Sequence, residues 1–328
     1  MQLTIHTPVV EFPNNCPENP MVSIIMLTYN HEAFIEQAVK SIINQETNFS
    51  FELIIGEDES KDETRKICIE LAKKYPDKIK LFLQSVENKI FKNRKPTAKF
   101  NVHYCMQQAK GKYVAFCEGD DFWTDTKKLQ KQVDFLESNK EYVSVFTDFS
   151  KYYEVNGTTK SHFNQHFYKE NSHREIRKNG FFAQEIKIIR TVTALHRGDI
   201  VRNFEPLEFF AAGDTQLILS ALHVGKLYYL AEDTATYRVL EESASHTKDF
   251  AKKQQFLGDY IQFMSKAIPH YGLGWRDKRY LLKSSLMFAL RQAAHEKRKA
   301  KTLLFAILLI LFGFPSKNLL QQLKKAFS

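Results

Sequence analysis

Residues 117–123, CEGDDFW, crowd Glu118, Asp120 and Asp121 around Gly119 at the end of an apolar run. Carboxylates this close repel one another unless water screens them or a cation lies among them. The stretch is therefore either a solvated turn or a site for a hard divalent cation. Mg²⁺ or Mn²⁺ would suit the second case, because such ions take oxygen ligands. They commonly keep one or two protein carboxylates while water and substrate phosphate complete the shell. The turn would then bridge the protein to a diphosphate. Two more polar clusters, TYN at 28–30 and EDES at 57–60, also follow apolar runs.

Strands must position these clusters. MVSIIML (21–27), FELIIG (51–56), IKLFL (79–83) and KYVAFC (112–117) are the apolar, β-branched runs expected of buried parallel strands. Helical spacing follows the first, with Phe34, Ala38 and Ile42 beside Ile35, Val39 and Ile43, and Asn30 is placed to cap that helix. Ser60 and Glu63 have capping-box spacing ahead of a helix through Ile67 and Leu71. A basic loop, QSVENKIFKNRKPT, leads to a helix over 99–109. Strands alternating with helices imply a mostly parallel sheet, and such sheets bind ligands at the carboxyl ends of their strands. TYN, EDES and EGDD should thus line one edge. Neither a G-x-G-x-x-G nor a G-x-x-x-x-G-K-[ST] phosphate loop is present.

Farther along, 151–190 is polar, aromatic and irregular, as expected of a substrate-facing insertion. A strand is expected at TVTALH (191–196). Gly213 and Asp214 then precede a helix, a strand is expected at KLYYLAE (226–232), and helices follow to the end.

A chain of 328 residues with 43% hydrophobic and 13% aromatic content can bury a large core. Cys16, Cys68, Cys105 and Cys117 form no C-x-x-C pair, so a reducing compartment is expected rather than a zinc site or a disulfide framework. The net charge of +9 is concentrated: residues 276–328 hold 12 Lys/Arg against 2 Asp/Glu, a net of +10, leaving −1 for the rest. Nucleic-acid binding is not expected from such a distribution. The basic residues flank TLLFAILLILFGF (302–314), an apolar run shorter than the ~20 residues needed to span a bilayer. It would either pack on the main domain or lie in a membrane surface. The opening MQLTIHTPVVEF lacks a basic start and a continuous apolar stretch, so no signal peptide is expected.

The ordered set VSIIMLTYNHEAFIEQAVKSIINQ, ELIIGEDESKDET, AKFNVHYCMQQAKGKYVAFCEGDDFW, GDTQLIL and TYRVLEESAS, over most of 20–245, resembles the family 2 glycosyltransferases of GT-A fold. The resemblance implies an α/β fold whose mostly parallel central sheet is flanked by helices, with a Rossmann-like nucleotide-binding half and a C-terminal helical extension. Its expected parts are a linker at 1–20, a GT-A domain at 21–248 and a basic helical region at 249–328. Within that domain the nucleotide-sugar half would cover 21–125 and the acceptor half 126–248. The resemblance further implies an inverting, Mg²⁺- or Mn²⁺-dependent transfer of a hexosyl or N-acetylhexosaminyl group. The donor would be a nucleotide-sugar, usually of UDP, and the acceptor a saccharide or lipid-linked saccharide, in surface polysaccharide synthesis on the cytoplasmic face of the membrane.

By the same resemblance, Thr28, Tyr29 and Asn30 line the nucleotide pocket and Asp58, beside Glu57, accepts the imide N–H of the base. Lys99 and Asn101 lie near the diphosphate, with Arg238 and His246 closing over it. Asp120 is the metal ligand, Glu118 would contact either the sugar or a metal-bound water, and Gly119 lies between them in the donor-binding turn. Asp214 is the base that deprotonates the acceptor hydroxyl, and Trp123 packs beneath the site. Glu118 stands where the pattern has Asp, and Glu59 where many members have Gly, which puts the turn after Asp58 in question because Gly tolerates positive φ. A metal-dependent nucleotidyltransferase lacks its phosphate loop here. A non-catalytic sugar-binding scaffold would be expected to lose Asp120 or Asp214, and both are present.

Overall fold

The computed structural model describes residues 3–92, 95–166, 172–187, 189–207, 213–241, 249–314 and 317–327. Their elements, in chain order, begin with strands β1 (Val10–Glu11) and β2 (Val22–Thr28), helix α1 (Ile35–Ile43), β3 (Phe51–Glu57), α2 (Thr64–Lys74) and β4 (Ile79–Leu83). The hairpin strands β5 (Ile90–Lys92) and β6 (Lys95–Thr97) follow, then α3 (Lys99–Gln108), β7 (Tyr113–Phe116), β8 (Phe122–Trp123), α4 (Lys128–Ser138) and β9 (Tyr142–Tyr153). After β10 (Thr158–Lys160), β11 (Arg174–Ile176) and β12 (Leu195–Arg197) come α5 (Gly198–Arg202), α6 (Gly213–Val224) and β13 (Lys226–Val239). Helices α7 (Phe250–His270), α8 (Trp275–His295), α9 (Lys299–Leu311) and α10 (Lys317–Phe327) complete the chain.

The chain divides into two compact units, Met1–Ile176 with Ile188–Pro206 and Gln216–Val239, and Arg177–Lys187 with Leu207–Thr215 and Leu240–Ser328. In the first unit, β4, β3, β2 and β7 run parallel in that spatial order, with Ile24 opposite both Leu53 and Ala115. β12 is inserted antiparallel between β7 and β9, and β9 pairs in parallel with β13. Strands β2 and β3 are buried almost throughout because helices cover both faces. Val39 and Ile42 of α1, with Cys68 and Leu71 of α2, pack on one face. Cys105 and Met106 of α3, with Leu217 of α6, pack on the other.

Several local expectations are revised. The segment 1–20 is expected as a linker, yet its β1 pairs with β4, and Asn88 binds the backbone of His6 and Thr7. TVTALH is a strand only at its end: Thr193 donates through both its N–H and its hydroxyl to Arg190 O, bending 191–193 into a 3-10 turn. The long strand β9 carries polar residues through the core, and the sheet gives each a partner. Ser144 meets His196, Thr147 meets Thr234, and Ser150 donates to Asp233. Such residues break an apolar pattern without breaking a strand, because cross-strand hydrogen bonds satisfy them.

In the second unit, α8 packs with α9 and α10 around Met287, Leu290, Ala306, Leu309, Phe314 and Leu319. Asp277 is fully buried there, and its carboxylate accepts the Gly180 and Phe182 N–H groups, both at 2.8 Å. No helix among the described residues is long and apolar enough to cross a membrane.

Candidate functional site

The three polar loops meet at the carboxyl ends of β2, β3 and β7, held together by backbone. Asp58 N–H donates to Thr28 O at 3.0 Å, and Gly119 N–H donates to Leu27 O at 3.0 Å. A side chain on Gly119 would force its neighbours to move, since its Cβ would stand 2.7 Å from Thr28 Oγ1 and 2.8 Å from His31 Nδ1. Asn30 does not cap α1. It sits at φ +54°, donates its N–H to Ser60 Oγ and accepts Lys61 N–H on its side chain, fastening the first loop to the second. Ser60 is thereby taken from the capping box expected of it. Its own N–H donates to Glu57 Oε1 at 2.7 Å.

Glu57 and Asp58 are adjacent but differently placed. Glu57 is fully buried and bound to Arg65, whose Nη2 also reaches Gln84 O at 2.7 Å. Asp58 lies beside Lys89, with Oδ2 and Nζ 3.2 Å apart, and that ammonium sits 4.6 Å from the ring centroid of half-exposed Tyr29. Burial raises the Asp58 carboxyl above its usual range, with Lys89 opposing. Tyr29, Asp58 and Lys89 thus offer a ring face, an acceptor and a cation together. Glu59 takes φ +58°, the left-handed geometry that glycine would adopt freely, and its carboxylate accepts Val86 N–H.

The acidic turn divides its charges by depth. Asp121 is buried, and its Oδ1 accepts Arg238 N–H at 2.8 Å. Burial, then repulsion from Asp120 and Glu118, pushes its carboxyl well above the ordinary range. Glu118 and Asp120 are half-buried. The Asp120 carboxylate has no hydrogen bond or ion pair to a side chain among the described residues. Arg238 supports the turn from behind: Nε donates to Asp120 O at 2.9 Å and Nη2 to Gln37 Oε1 at 2.8 Å, while Nη1 pairs with Glu154. Its guanidinium lies against the rings of Phe34, Tyr152 and Phe122. Trp123 is buried and anchored through Nε1 to Val192 O at 2.9 Å. Lys128 Nζ rests 4.5 Å from the centre of that ring, and burial lowers the ammonium's pKa to about 7.

Lys99 is half-buried in the first turn of α3. Asn101 is buried, donating Nδ2 to Gly56 O at 2.8 Å and accepting from Cys105 Sγ, so its amide serves the contact of α3 with β3. Asp214 is exposed in the first turn of α6 and accepts Thr215 N–H at 2.7 Å. It belongs to the second unit. His246 lies outside the described residues.

Sequence reasoning missed His31 and Lys89. His31 immediately follows TYN and approaches Thr28 Oγ1 at 3.3 Å; burial lowers its pKa, and Asp120 opposes that. Lys89 is one of several cations in a loop whose pairing only the fold selects. No cluster of three or more His, Cys, Asp or Glu that could hold a metal occurs among the described residues, and Asp120 is the carboxylate of the turn left to a hard cation such as Mg²⁺ or Mn²⁺, which prefers oxygen donors and needs few from the protein.

Comparison with known proteins places the chain among characterised folds. The sequence profile described as "Glycosyl transferase family 2" matches residues 23–195. An uncharacterized protein of Mycobacterium tuberculosis is 30% identical over 227 residues, 66% of this chain, and the chain spans 58% of that relative's length. The GalNAc(5)-diNAcBac-PP-undecaprenol beta-1,3-glucosyltransferase of Campylobacter jejuni is 34% identical over 102 residues, 31% of this chain and 30% of that protein. The fold is similar to that of S. aureus TarS 1-349 in complex with UDP-GlcNAc, with a TM-score of 0.57 and 18% identity over 93% of this chain and 79% of that one.

Proposed function

The chain belongs to glycosyl transferase family 2, and from that premise we propose that it transfers a hexosyl or N-acetylhexosaminyl group, with inversion, from a UDP-sugar to a saccharide or lipid-linked saccharide. Surface polysaccharide synthesis at the cytoplasmic face of the cell membrane is the setting this implies. The observation that carries the proposal is the Asp120 carboxylate, without a side-chain partner among the described residues, at an edge where three strand ends are tied together. The UDP-GlcNAc complex of TarS and the lipid-linked substrate in the name of the Campylobacter relative support the choice of donor and acceptor.

Tyr29 would stack on the base while Asp58 accepts its imide N–H, with Lys89 holding Asp58 charged for that bond. Thr28, Asn30 and Glu57 fix the loops around it. Asp120 would hold Mg²⁺ or Mn²⁺, which supplies positive charge against the departing diphosphate. Arg238 holds the Asp120–Asp121 backbone in place. Glu118 and Gly119 shape the donor side of the turn, and Lys99 adds positive charge near the diphosphate. Asp214 would take the proton of the acceptor hydroxyl as its oxygen attacks the anomeric carbon.

A screen of nucleotide-sugars against the full chain, with and without a divalent metal, tests the donor and the metal together. Metal-dependent binding or hydrolysis of a UDP-sugar is expected; undiminished turnover in excess EDTA would overturn the role of Asp120. In the transfer assay Asp214→Asn should lower the rate about 10³-fold with donor binding retained, and a fully active variant removes Asp214 from the mechanism.

A further inference from the structure

Helix α9 has two apolar faces. Thr302, Ala306 and Leu309 are buried, the latter two among residues of α8 and α10. Leu303, Leu304, Ile307, Ile310 and Leu311 recur at the spacing of one helical face, and Phe312 follows. These six are between 45% and 74% exposed. A helix at the surface of a water-soluble domain needs one apolar stripe, turned inward. A second, contiguous stripe turned outward marks a surface made to leave water.

The charges around the stripe say what covers it. Lys297, Arg298, Lys299 and Lys301 are exposed at its start, and Lys299 Nζ lies 5.5 Å from the ring centre of half-exposed Phe327. At its far end Arg279 Nη2 reaches toward the Phe312 and Gly313 carbonyls, at 3.5 and 3.4 Å. No Asp or Glu occurs from 297 to 328. A second copy laid on this face would bring cation against cation. An anionic surface would be attracted by the same charges, and long Lys and Arg side chains can keep their charged ends at headgroup level while an apolar stripe sinks below. At 13 residues, α9 is too short to cross the bilayer but suited to lie in its interface.

We propose that the outward face of α9 seats in the plane of an anionic phospholipid surface, with Leu304, Ile307 and Leu311 in the acyl boundary and Lys297, Lys299 and Lys301 among the headgroups. This deepens the membrane-surface setting proposed above and rests on it.

The test is flotation of the purified full chain with phosphatidylglycerol–phosphatidylcholine vesicles and with phosphatidylcholine vesicles alone. Binding to the anionic vesicles that weakens with salt is expected. The pair Ile307→Glu and Leu311→Glu should reduce it at least about tenfold, with circular dichroism and UDP-sugar turnover unchanged. Replacing Lys297, Lys299 and Lys301 by Gln should reduce binding to the anionic vesicles more than to the neutral ones. The proposal is overturned if the parent stays in the aqueous fraction, or if the Glu variant floats as well as the parent. It also falls if the parent is a dimer that those substitutions split, since the face would then join two copies. Because donor turnover is read separately, loss of vesicle binding with turnover intact sinks this face and leaves the transfer chemistry standing.

Discussion

At the amino end of the parallel strands Glu52 is fully buried, yet it accepts from Ser23 Oγ at 2.6 Å and pairs with Lys80 Nζ at 2.9 Å. At the carboxyl end of the same sheet, Glu118, Asp120 and Asp121 crowd one turn, and among the described residues the Asp120 carboxylate has no side-chain partner. Arg238 bonds the same residue through Nε to its backbone carbonyl and pairs its charge with Glu154. One end carries its counter-ion within the chain, and at the other the Asp120 carboxylate has no side-chain counter-ion among the described residues. Buried or crowded acid is therefore not itself a sign of chemistry. What distinguishes Asp120 is a carboxylate whose backbone the fold holds in position while no side chain among the described residues neutralises it.

Breaking this contrast from both sides gives the largest expected effects. Asp120→Asn should lower metal-dependent transfer about 10²–10³-fold, with little change in the denaturation midpoint. Glu52→Gln should do the reverse, costing about 3 kcal/mol by leaving Lys80 unpaired while the rate per folded molecule holds. Equal activity losses in the two variants would erase the distinction.

Lys128 sharpens the comparison, because it is a cation buried under Trp123 beside the acidic turn yet paired with none of its carboxylates. Its pKa is about 7 in the folded chain against an ordinary 10.5. Between those values the unfolded chain binds a proton that the folded chain does not, so stability from this group rises with pH from about 7 toward 10.5, by up to ~1.4 kcal/mol per pH unit. Chemical denaturation across that range should show the slope, and Lys128→Met should flatten it.

The smallest effect concerns Glu59. Replacement by Gly relieves about 1 kcal/mol of left-handed strain but gives up an acceptor for Val86 N–H worth about the same, so stability should stay within about 0.5 kcal/mol. Glu59→Ala keeps the strain, loses the acceptor and should cost about 1 kcal/mol. Thermal melts of the two variants separate the contributions.

Much of the parallel half was legible because its strands are buried on both faces and read as unbroken apolar runs; IKLFL coincides with β4 residue for residue. The meeting of TYN, EDES and EGDD followed from strand direction alone. Caps were less legible, since Asn30 and Ser60 have the residue types of helix starts but are used to tie loops across 30 positions of sequence. The length of β9 was hidden by Thr147, Asp148 and Ser150, whose partners come from elsewhere in the chain. Asn101 looked like a ligand for phosphate, and only the approach of α3 to Gly56 reveals what its amide holds.

That approach, with Asn88 fastened to the backbone of residues 6 and 7, pins the chain on both sides of the β5–β6 hairpin. The backbone on either side of the hairpin is thereby held by two side-chain amides, Asn88 to residues 6 and 7 and Asn101 to Gly56 O, so a change of length within the hairpin need not shift β3 or α3.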